Sequence, residues 1–272
     1  MIPITEQSSL YDNLETKSVQ ELTSAINQED HKVAKAIEEV LPQVNNLISC
    51  IVSKLKDGGR MFYLGAGSGG RLSVLDVIEL PTTYGLPKGI YNAILAGGED
   101  RLIDALEEME DDLNEAWSRL SAANISEKDI VVGISASGST PFVVEGLKQC
   151  RAHNITTGCI VSNPNSVIAA QSDYPIEVLT GPEFITGSTR MKCGTAQKML
   201  FDMISTTVMI QMGRIEGNNM IHVKLINDKI MDRGVKMLMK KADIDNYEEA
   251  KSLLLQYGTV KNAMEKLVKN QG

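Results

Sequence analysis

The sequence predicts an α/β protein built on a mostly parallel sheet covered on both faces, and three observations lead there. Apolar runs of strand length alternate with amphipathic segments from residue 61 onward. The runs are nearly continuous rather than alternating, as strands buried on both faces must be. Glycine- or hydroxyl-rich loops stand at three strand ends, where sheets of this kind bind their ligands.

Residues 1–58 are polar with helical apolar spacing through Val33, Ile37, Val40 and Leu41, then Leu47, Ile48, Ile51 and Leu55; Gly58-Gly59 ends them. Strands are expected over 61–67, 89–97, 129–137, 156–163 and 174–181, with helices over 71–80, 100–121, 141–153 and 165–171. Residues 190–213 read as one long buried helix closed by Gly213, its methionines serving core or subunit interface rather than a cofactor. A weakly patterned connection spans 214–230. Two or three short helices with a turn at Tyr257-Gly258 fill 230–271. The expected division is a main domain, 1–225, and a small helical subdomain, 226–272.

The composition narrows the function. With 35 acidic against 27 basic residues and a formal charge of −8, the chain lacks a nucleic-acid footprint. A phosphorylated small molecule stays open, because backbone N–H groups and hydroxyls bind phosphate without a basic surface. Cys50, Cys150, Cys159 and Cys193 form no C-x-x-C pair, and no two of the three histidines have ligand spacing. Reduced thiols in a cytoplasmic protein, and no metal site, are expected. The start has no signal-peptide pattern, and the most apolar stretch, 199–212, is shorter than the ~20 residues a membrane span needs. No membrane partner is expected.

The first loop, Gly65-Ala66-Gly67-Ser68-Gly69-Gly70-Arg71, satisfies G-x-G-x-x-G. The acid that a dinucleotide site needs about twenty residues on is missing. The second, Ser135-Ala136-Ser137-Gly138-Ser139-Thr140-Pro141, puts four hydroxyls before a helix; a plain N-cap needs one. The third, Thr186-Gly187-Ser188-Thr189-Arg190, opens the long helix. Three such loops at the mouth of one sheet favour a phosphorylated small molecule.

Two glutamates invite acid–base chemistry. Pro81 disfavours helix at residue 80, so Glu79 is expected in a last helical turn among Ile78, Leu80 and Pro81. The dipole and the apolar neighbours would both raise its pKa, as suits a general acid; the plain alternative is an exposed acid at a helix end. Glu110 falls about 20° from Ile103 and Trp117 on a helical wheel, at the edge of an apolar stripe. Position alone leaves it between a site residue and a solvated face.

The motifs GAGSGGRLSVLD (65–76), LAGGE (95–99), GISASGSTPFV (133–143), SNP (162–164) and GPEFITGSTRMKCGTAQKM (181–199) closely resemble the N-acetylmuramic acid 6-phosphate etherases of the sugar isomerase (SIS) type. The glucokinase regulatory proteins share several of them. The resemblance implies a SIS-type three-layer sandwich with a five-stranded parallel sheet, a small C-terminal helical bundle and a homodimer. It implies catalysis by Glu79 as acid and Glu110 as base, within Asp76–Thr83 and Glu107–Asp111. It places an amino-sugar phosphate at Gly67, Ser68, Gly69, Ser135, Ser137, Ser139, Thr140, Ser188, Thr189 and Lys192. The implied reaction, cleavage of a lactyl ether by elimination and hydration, requires no cofactor. The alternative is a non-catalytic sugar-phosphate-binding regulator; retention of Glu79 argues for the enzyme. Three positions depart from the family's usual pattern: Gly69 for a hydroxyl residue, Thr82 for a second proline and His222 for an aspartate.

Overall fold

The structure, a computed structural model, describes residues 2–104, 108–222 and 228–270, with side chains to 267. The chain forms two compact units, Met1–Asp76 with Gly89–Ile204, and Val77–Lys88 with Ser205–Gly272. The expected boundary at 225/226 lies outside the described residues.

The first unit carries the sheet. Its strands are β1 (Met61–Gly65), β2 (Tyr91–Leu95), β3 (Ile130–Ser135), β4 (Thr156–Val161) and β5 (Tyr174–Glu177). All pair in parallel in the order β2-β1-β3-β4-β5. The expected strands are present with shorter bounds. Strand order reverses between β1 and β3, where such a sheet opens a crevice at its carboxyl edge. Gly65 stands level with Leu95 and Ile134, so the loops after β1 and β3 emerge side by side.

Helices α1 (Val19–Glu39), α2 (Leu41–Lys56), α3 (Gly67–Thr83), α4 (Glu115–Ala122), α5 (Pro141–Ala152) and α6 (Lys192–Gln211) connect or follow the strands. On one face Phe62, Leu64, Val131, Cys159 and Val161 pack with Ala116 and Leu120 of α4 and with Phe142, Val143 and Leu147 of α5. On the other, Tyr63 meets Phe201 of α6 at 4.9 Å between ring centroids. There Gly158 is so close to α2 that a Cβ would stand 2.7 Å from Leu47. Apolar runs sandwiched this way need no polar alternation, which is why the strands read as continuous.

Three expectations change. Residues 100–121 are not one helix: short 3-10 turns, Glu99–Leu102 and Glu108–Asp111, precede α4, and 105–107, with Leu106 and Glu107, lie outside the described residues. Like charges four apart, such as Glu108 and Asp112, oppose a continuous helix. Asp112 instead accepts from the Asn114 and Glu115 N–H groups at 2.7 and 2.8 Å and starts α4. Those two bonds lower its pKa. The helix expected at 165–171 is only a 3-10 turn, Ala169–Gln171. α3 does not stop before Pro81 but carries it inside and ends at Thr83.

The second unit has its own core. Val235 and Leu238 of α7 (Asp228–Ala242) meet Ala250 and Leu254 of α8 (Tyr247–Tyr257) and Val260 and Ala263 of α9 (Val260–Asn270). Asn246 caps α8 by accepting from Glu249 N–H, and Gly258, at φ +79°, ends it as the turn expected there requires. His222 packs against Gly85, whose Cβ would be 2.3 Å from the His222 carbonyl oxygen. Burial, aided by Arg214 and Lys261, lowers the imidazole pKa.

Candidate active site

A cavity of about 500 Å³ opens where the loops after β1 and β3 emerge. Ala66, Gly67, Ser68 and Gly69 of the first loop line it with Ser135, Ala136, Ser137, Ser139, Thr140 and Pro141 of the second. Glu110, Asp111, Gly187, Thr189, Glu6 and Gln197 complete the wall.

The second loop is a preorganised hydroxyl cluster. Ser135 Oγ lies 2.9 Å from Thr140 Oγ1 and 3.2 Å from Ser137 Oγ, and accepts from Gly138 N–H at 3.1 Å. Ser139 donates to Ser137 through both N–H and hydroxyl. Asn163 Nδ2 holds the Ser137 carbonyl at 2.9 Å. Gly138 has φ +74°, and a Cβ on it would collide with Ser166 Cβ at 2.4 Å, so this turn needs glycine. Thr140 occupies the N-cap of α5 without any side-chain capping bond. Its hydroxyl therefore serves the cluster, and the plain capping explanation does not apply. The positive end of α5 and these hydroxyls together suit an oxyanion.

The third loop behaves differently. The first N–H groups of α6 are already taken: Lys192 and Cys193 both donate to Glu183, each at 2.9 Å. Lys192 lies away from the cavity wall, its ammonium buried and 2.7 Å from Glu29. Burial pushes the Glu29 carboxyl up, but hydrogen bonds from Lys192, Lys32 and Tyr11 outweigh that and hold it at about 2. Thr189 and Gly187 reach the cavity; Ser188 is not on its wall.

Of the two glutamates, Glu110 is half-buried on the wall, anchored by Met109 packing on the core. Among the described residues the apolar stripe beside it is not one buried face: Leu102 and Leu113 are exposed and Ile103 is 96% exposed, while Met109, Trp117 and Leu120 pack on the core. Glu79 belongs to the second unit and is exposed, beside an Ile78 that is 61% exposed and a buried Leu80, so among the described residues only part of the apolar setting expected around it is present.

Sequence reasoning missed two wall residues. Glu6 is held there by a strap: Thr5, fully buried, donates to Asn163 Oδ1 and accepts from Asn163 Nδ2. Ser9 bonds Thr186 and Phe184. No local pattern announces such a contact. Gln197 did leave a signal, as a polar residue in register with Leu200, Phe201 and Ile204 on a buried helical face.

Fold and cavity define a protein of the SIS class. A model of the glucokinase regulatory protein N-terminal SIS domain matches residues 32–151, and the SIS domain model matches 110–207. A phosphoheptose isomerase from Francisella tularensis shares the fold at a TM-score of 0.54 and 15% identity, over 74% of this chain and 100% of that one. The chain belongs to the N-acetylmuramic acid 6-phosphate etherase family. It is 50% identical to the etherase of Bacteroides thetaiotaomicron over 97% of this chain and 95% of that one. With the etherase of Porphyromonas gingivalis it shares 48% over 97% and 96%.

Proposed function

We infer that this protein cleaves the D-lactyl ether of N-acetylmuramic acid 6-phosphate, giving N-acetylglucosamine 6-phosphate and D-lactate. The observation that carries the reading is the juxtaposition in one cavity of a hydroxyl cluster suited to phosphate and the carboxylate of Glu110, in a chain half identical to etherases along nearly its whole length.

In this reading Ser135, Ser137, Ser139 and Thr140, with the α5 N-terminus, hold the phosphate, and Ser68, Thr189 and the glycines of the first loop allow close approach. Glu110 removes the proton from C2 of the open-chain aldehyde. The C3–O bond breaks, and Glu79 gives its proton to the departing lactate oxygen. Water then adds across the C2–C3 double bond, hydroxyl to C3 and proton to C2, so all atoms balance. Positioned acid–base groups contribute ~10²–10⁴-fold each. The family likeness, rather than the surroundings of Glu79 in this chain, supports its role.

A homodimer in the cytoplasm completes the proposal. Exposed Leu75 and Ile78 on α3, and Met199 and Ile210 on α6, are apolar surface that a second subunit would cover. The cysteines are free, and burial raises Cys150 to about 12 and Cys159 and Cys193 to about 11, as suits inert reduced thiols.

Release of D-lactate from N-acetylmuramic acid 6-phosphate tests the activity. Wild type should release it, and Glu110→Gln and Glu79→Gln should each lose at least ~10²-fold in kcat. Sugar-phosphate binding without lactate would replace the enzyme by a sensor.

A further inference from the structure

Gln197 is 2% exposed, yet it lines the cavity. Neither atom of its carboxamide has a hydrogen-bond partner among the described residues. The carboxamide atoms are not sealed from solvent but open onto the cavity, where a ligand can replace water as their partner. Both atoms lie over the bare Cα of Gly69: a Cβ there would stand 2.9 Å from Gln197 Oε1 and 3.2 Å from Nε2. The missing side chain at 69 thus gives the carboxamide its room.

The rest of the wall makes this amide significant. Among the described lining residues there is no lysine, arginine or histidine, while Glu6, Glu110 and Asp111 supply three carboxyl groups. Of the two lysines near Gln197 in sequence, Lys192 is committed to Glu29 and Lys198 to Asp202. Removing the C2 proton sends negative charge onto the C1 oxygen of the substrate, and that oxygen needs a donor. In the etherase reading the hydroxyls of the second loop are taken by the phosphate. The carboxamide N–H₂ is an uncommitted, neutral donor within the cavity, the kind of group that serves oxyanion holes elsewhere.

We propose that Gln197 is a further catalytic residue, its Nε2 donating to the C1 oxygen as charge develops during proton abstraction. The proposal rests on the etherase reading and extends it. Phosphate binding by the same N–H₂ would be a ground-state role.

The test compares wild type with Gln197→Glu, which keeps the shape and removes the donor, and Gln197→Met, which guards against a fourth carboxylate disturbing the fold. Two quantities are read: kcat and KM for D-lactate release, and exchange of the C2 hydrogen of N-acetylglucosamine 6-phosphate in deuterated water, followed by NMR. Wild type should perform both; if it performs neither, the etherase reading itself fails. Both variants, folded by circular dichroism, should lose ~10²–10³-fold in kcat with KM within about threefold, and C2 exchange should slow by a similar factor. An unchanged kcat, a loss confined to KM, or C2 exchange at the wild-type rate in either folded variant overturns the proposal and leaves the etherase reading standing.

Discussion

Lys192 forms a buried ion pair set back from the cavity wall. Its ammonium and the Glu29 carboxylate are both almost wholly buried, and Tyr11 and Lys32 also hydrogen-bond to Glu29. Breaking such a pair strands a buried charge. Glu29→Gln should therefore cost ~3–5 kcal/mol of folding stability by denaturant titration, and Tyr11→Phe far less. The pair also sets an acid limit. The folded pKa of Glu29, about 2, lies below the ordinary carboxyl value of 4.5. Its contribution is thus complete above 4.5 and disappears as pH falls toward 2. Stability measured across that window should fall more steeply in wild type than in Glu29→Gln.

Among the elements, the turn between β3 and α5 carries the sharpest constraint. Gly138→Ala would force a Cβ into Ser166 at a positive φ, displacing the hydroxyls around it; KM for the sugar phosphate should rise at least ~10-fold while the sheet survives. The five strands, the long helix at 190–213 and this loop were all legible in the sequence, because apolar runs, hydroxyl clusters and proline at a helix start are local signals. The segment around Glu110 was not. Its apolar positions fit a helical stripe, but repulsion among acids and the capping by Asp112 divide it, and the residue reaches the cavity from a 3-10 turn instead. Lys192 is bound by partners outside its own helix, Glu29 at its ammonium and Glu183 at its backbone N–H, and nothing in the local pattern reveals them. Pro81 does not stop its helix, since α3 carries it inside and runs on to Thr83.

At the scale of the whole molecule, the sheet and the C-terminal helices have separate cores. Leu254 is fully buried in the smaller one. Leu254→Ala should cost ~2–5 kcal/mol there, and amide hydrogen exchange should show α7–α9 opening while β1, β3 and β4 keep their protection. An equal loss of protection in the sheet would show one cooperative unit instead.

The strap holding Glu6 also bears on how the molecule is made. Thr5 leaves the ribosome 158 residues ahead of the Asn163 that secures it, and Ser9 precedes Thr186 by 177. Neither anchor can form until β4 and the segment beyond β5 have emerged, and closing so long a loop is entropically slow. A nascent chain therefore carries its sheet before it carries a finished cavity, and refolding should restore strand signals earlier than the capacity to hold a sugar phosphate.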